Sequence, residues 1–76
     1  MADPDFNELA ARVDAVGHTL LFLIAELELQ GAVDGPRLSQ TLRRFGHDRG
    51  QHPGLERCGQ VMQELAQRLD TARASR

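Results

Sequence analysis

The residues with the widest chemical repertoire in this 76-residue chain lie within one stretch of twelve: His47, Asp48, His52 and Cys58. Zinc accepts imidazole, carboxylate and thiolate alike. The spacing H-x4-H-x5-C, however, matches no common structural zinc pattern. A cysteine beside a histidine also offers a nucleophile and a base. A catalytic thiol needs an exposed, electropositive setting. Cys58 instead falls on the apolar stripe of a helical segment, where the expectation is a small buried hydrophobe. No glycine-rich phosphate loop or dinucleotide fingerprint is present. A helical chain of this size also has little volume for a substrate pocket. The residues therefore predict no catalytic group, no metal site and no cofactor.

A second cluster is cationic. Arg37, Arg43, Arg44 and Arg49 sit on and just after a short helical segment, an arrangement that invites a helix-turn-helix reading and makes them possible nucleic-acid contacts. The glycine-rich run from Gly46 to Gly54 is too long for the tight turn of that motif. The net charge of −2 opposes the phosphate attraction that dominates such affinity. Arginines near a helix C-terminus are also favoured by the helix dipole alone. A DNA-associated regulator using the Arg37–Arg49 region is thus the alternative function, not the leading one.

The elements that carry these groups follow from hydrophobic periodicity. Phe6, Leu9, Val13, Val16, Leu20, Leu23 and Leu27 alternate spacings of three and four, an a/d seam sustained for three heptads. Asp3 as cap, Pro4 in the first turn and Asp5 and Glu8 at the positive end of the dipole mark the start, and Gly31 marks the stop. The first helix is expected over about residues 4–30. Pro36, capped by Asp34, opens a second helix over 36–45 with Leu38, Leu42 and Phe45 on its apolar face. Residues 46–53 read as a loop. A third helix over 54–73 carries Leu55, Cys58, Met62, Leu65, Leu69 and Ala72 at the same three-four spacing, and residues 74–76 read as a frayed tail.

The expected architecture is all-α, a single helical domain of long, short and long helices. The first and third lie antiparallel as a hairpin that assembles into a dimeric bundle. Seven acids against Arg12 alone in residues 1–34, and eight arginines against four acids in residues 35–76, give the two halves opposite charge. A chain this short rarely buries enough apolar surface alone. The homodimer seam is assigned to Leu9, Val13, Val16, Leu20, Leu23 and Leu27. Leu21, Phe22 and Leu29 point away from that seam, and with Glu26 they form a face suited to another protein.

The remaining expectations are compositional. A hydrophobic fraction of 41% with 26% charged residues belongs to globular protein. The longest apolar run, Leu20–Ala25, is far below the ~20 residues of a membrane span. The acidic start lacks the positive charge of a secretion signal, and a single cysteine fits a reducing compartment. Arginine without lysine suggests GC-rich, bacterial coding. Together these predict a small cytoplasmic regulatory or adaptor protein acting through helix-mediated contacts with itself and another protein.

Overall fold

A computed structural model describes residues 4–76; the expected Asp3 cap lies outside them. Among the described residues there are three α-helices and no strand: α1 (Pro4–Leu29), α2 (Gly35–Gly50) and α3 (Glu56–Ala74). Among these described residues, no helix is long and apolar enough to cross a membrane.

Each helix end has a local cause. Gly31 takes a left-handed φ of 75°. Its N–H donates to the Glu28 carbonyl at 3.0 Å, while the Ala32 N–H reaches the Leu27 carbonyl at 2.9 Å. These two bonds close a Schellman motif and satisfy carbonyls that the helix end would leave unpaired. Three residues on, Asp34 caps α2: its backbone is extended, and its Oδ1 accepts from the Arg37 N–H at 3.1 Å. Both signals were legible in the sequence.

The end of α2 was not. Gly46 was expected to stop the helix, yet α2 continues to Gly50. Residues 46–50 are therefore helical rather than loop. The reason is tertiary. Gly46 is buried against α3, and a Cβ built on it would stand 2.7 Å from the Gly59 carbonyl oxygen. Burial against a neighbouring helix outweighs the roughly 1 kcal/mol propensity cost of an interior glycine. The chain then turns through Gly54, at φ 86°, whose N–H donates to Glu56 Oε1 at 3.3 Å at the start of α3.

The antiparallel hairpin is α2 on α3, not α1 on α3. Ser39 meets Arg73, Arg43 meets Asp70 and Gly46 meets Gly59, so the two helices run in opposite senses. Along α1, in contrast, His18 meets Arg68 and Glu28 meets Arg73 and Arg76, so α1 and α3 run in the same sense. Contacts confined to the C-terminal half of α1, with its exposed N-terminal half projecting beyond them, explain the shape. The radius of gyration is 14.2 Å, against about 11 Å for a compact chain of this length. The expected antiparallel α1–α3 pairing fails because α3 packs its small-residue face, at Gly59, against Gly46 and Gly50 of α2.

The register of that packing differs from expectation by one helical position. The α3 face turned toward α2 runs Leu55, Gly59, Met62, Ala66, Leu69 and Arg73, whereas Cys58 and Ala72 are exposed and Leu65 is half-buried. On α2 the buried positions are Gly35, Ser39 and Gly46, while Phe45 is 60% exposed. Small residues let the backbones approach, and the large apolar ones flank the contact. A Cβ on Gly59 would stand 2.3 Å from the Gly46 oxygen and 2.8 Å from Gly50 backbone atoms.

A polar network closes the open end of the hairpin and attaches α1. Asp70 receives hydrogen bonds from Arg43, Ser39 and Arg73, which hold its carboxyl down at about 2. Arg73 also donates from Nε to Glu28 of α1 at 2.7 Å, and Arg76 donates to the same carboxylate at 2.9 Å. The last turn of α1 has no basic residue, so these two arginines also neutralise its negative end. Burial raises the Glu28 carboxyl, but the hydrogen bonds from Arg76 and Arg73 outweigh it and leave the group below its ordinary value. Both carboxylates are therefore more acidic in the folded state. Their contribution is present above the unfolded carboxylate values and is lost as pH falls through the folded ones, for Asp70 about 2. Asp70→Asn should lower the thermal midpoint at pH 7. The gap between mutant and wild type should shrink through pH 4 and close near pH 2 when melts are compared across that range.

Candidate protein-interaction surfaces

The a/d seam of α1 is solvent-exposed. Leu9, Val13, Val16, Leu20 and Leu23 are each 51–64% exposed, and Leu27 is half-buried. Heptad geometry explains why the rest of the chain does not cover them. The residues of α1 that meet the hairpin are His18, Leu21, Ala25 and Glu28. They occupy b and f positions, centred roughly 150° around the helix from the a/d seam. The hairpin thus docks on the back of α1 and leaves the seam facing outward. Residues 5–16 are exposed throughout.

His18, at an f position, belongs to the docked face. Its Nε2 stands 2.9 Å from Arg68 Nη2 and its Nδ1 3.0 Å from the Asp14 carbonyl oxygen. A guanidinium only donates, so Nε2 is the acceptor and Nδ1 carries the proton.

Between α1 and α3 lies a groove of about 540 Å³. Leu21, Phe22 and Ala25 line one wall, and Gln67, Thr71 and Ala72 the other, with His18, Arg68 and Arg76 also at its edge. Its lining is mainly aliphatic and its charge is positive.

No family model, no curated protein and no solved structure matches this chain. The surfaces themselves must carry the functional reading.

The four residues assigned to a partner face divide between two places. Leu21 turns toward α3 and is half-buried, while Phe22, 71% exposed, forms the lip of the groove. Leu29 is exposed one heptad beyond Phe22, and Glu26 is exposed at a g position flanking the seam. The groove was hidden from the sequence because its second wall is a helix forty residues away.

The arginine cluster is also divided. Arg43 is turned inward onto Asp70 and Gln67, whereas Arg37, Arg44 and Arg49 are exposed on α2. His47 and Asp48 lie on α2, His52 in the following turn and Cys58 in the early turns of α3. Cys58 is exposed, a correction to its expected burial: the stripe it shares with Leu65 is offset from the contact line of α3. Among the described residues, no three His, Cys, Asp or Glu side chains are grouped closely enough to hold a metal ion.

Proposed function

We propose that this chain is a small non-enzymatic adaptor or regulatory protein that homodimerises through the α1 seam and engages another protein at the groove beside it. One observation carries the reading: a three-heptad apolar seam is left exposed on the side of α1 opposite the face its own hairpin uses. Covering five side chains that are already about half-buried gains roughly 1 kcal/mol each, or about 10 kcal/mol over two copies. That is of the order of the association cost, estimated at about 4–15 kcal/mol, so a dimer of moderate affinity is expected.

The groove supplies the second contact. Its aliphatic walls suit the apolar stripe of a partner helix, and Arg68 and Arg76 favour carboxylates flanking that stripe. Phe22 at its lip offers enough apolar area for a binding hot spot. Light scattering of the wild type should give about twice the 8.4 kDa chain mass. Phe22→Ser with Leu29→Ser should leave that mass and the helical circular dichroism unchanged and remove the partner from a pull-down. Retention of the partner by the folded double mutant would refute the groove assignment. The DNA-binding alternative would show instead as a salt-dependent mobility shift lost on replacing Arg37, Arg44 and Arg49.

A further inference from the structure

The α1 seam is self-complementary when its direction is reversed. With Val13, Leu20 and Leu27 at a, and Leu9, Val16 and Leu23 at d, antiparallel pairing sets each a residue against a d residue of the second helix. About a two-fold at position 18 the layers become Leu9 on Leu27, Val13 on Leu23 and Val16 on Leu20, so all six residues find a partner. In this register g positions face g positions, and Arg12 of each copy lies opposite Glu26 of the other. Gly17, whose Cβ position meets nothing within 4 Å in its own chain, faces its counterpart beside the axis.

Charge separates this register from its competitors. Sliding the helices by one heptad also pairs six apolar residues, Phe6 on Leu23, Leu9 on Leu20 and Val13 on Val16, but sets Asp5 against Glu26 twice. Parallel pairing places Arg12 beside Gly17 and Glu26 beside Gly31, with no ion pair at either. Of these registers, only the first sets Arg12 and Glu26 in attractive contact. The groups are accessible for it. Arg12 holds Glu8 in an exposed pair through Nε alone, which leaves its other donors open. The Glu26 carboxylate enters no ion pair among the described residues. The exposed N-terminal half of each α1 then lies along the hairpin-bearing half of the other, and both hairpins stay on the outside.

We infer that α1 pairs antiparallel with α1 of a second copy about a two-fold at position 18, with Arg12 and Glu26 setting the register. The inference rests on the homodimer proposed above and specifies its geometry. Asn7→Cys in a Cys58→Ser background, spin-labelled, reads the register by pulsed electron resonance. Labels twenty-two residues apart along the axis give about 33 Å, the slid register about 22 Å, and parallel pairing less. Glu26→Arg and Arg12→Glu should each weaken dimerisation about tenfold, and the two together should restore it to within about threefold. A dimer with a label distance below about 25 Å, or without rescue in the double reversal, overturns the register and leaves the dimer standing. A wild-type monomer at high micromolar concentration removes the homodimer itself, and this geometry with it.

Discussion

Leu23→Asp should convert the protein from a dimer to a folded monomer of 8.4 kDa. In the isolated chain Leu23 is 53% exposed, so a carboxylate there remains hydrated and breaks no contact between α1 and α3. In the dimer it would be covered twice, once per copy, with no cation opposite it. Burying an unpaired carboxylate costs several kcal/mol, and two such sites should lower the association constant by a factor of roughly 10³ or more. Sedimentation at high micromolar concentration reads the mass, and far-ultraviolet circular dichroism reads the helix. Part of the helical signal should also fall, because residues 5–16 of α1 are exposed throughout and would fray without a second copy. The α2–α3 hairpin should keep its cooperative melt. Global unfolding of the mutant at low temperature would mean that the seam stabilises the chain itself and would overturn this reading.

Gly59→Ala should have the opposite pattern, with loss of the hairpin rather than of the dimer surface. An alanine in a helix interior normally gains about 1 kcal/mol over glycine. At Gly59 the added Cβ would stand 2.3 Å from the Gly46 oxygen, and both obstructing groups are backbone. No side-chain rotation relieves such a contact, so α2 and α3 must separate along their length. Overpacking of this kind typically costs about 1–3 kcal/mol, and the backbone clash places Gly59 at or beyond the upper end. A loss of about 2 kcal/mol should lower the thermal midpoint by roughly 8–16 °C in a chain of this size. An unchanged or raised midpoint would show that the helices are farther apart than described.

These two residues also mark the boundary between what could be read in the chain and what could not. The three helices, the Asp34 cap, the Gly31 stop and the α1 seam were all legible, because each rests on local geometry. A three-four apolar spacing, a carboxylate ahead of a proline and a glycine after a periodic run act within a few residues of themselves. The hairpin contact was misread. Periodicity weighted by hydrophobicity selected Phe45, Cys58 and Leu65, while the contact line runs through Gly35, Ser39, Gly46, Gly59 and Ala66. A signal for it existed: small residues at 35, 39, 46 and 50 on α2, spaced four and seven, and at 59 and 66 on α3. Size, not hydrophobicity, was the property to follow.

The sequence by itself determined where the helices form and that α1 carries more apolar surface than its own face toward α3 requires. Only the tertiary structure decided which surface is left over. Backbone-to-backbone approach at Gly46 and Gly59 commits α3 to α2, and the Glu28 carboxylate, held by Arg73 and Arg76, then seats the hairpin on the b and f face of α1. Both contacts join residues of different helices, so hydrophobic periodicity within one helix does not encode them. Their consequence is the exposed a/d seam, because a helix docked on one side by ion pairs to its last turns keeps its opposite face free.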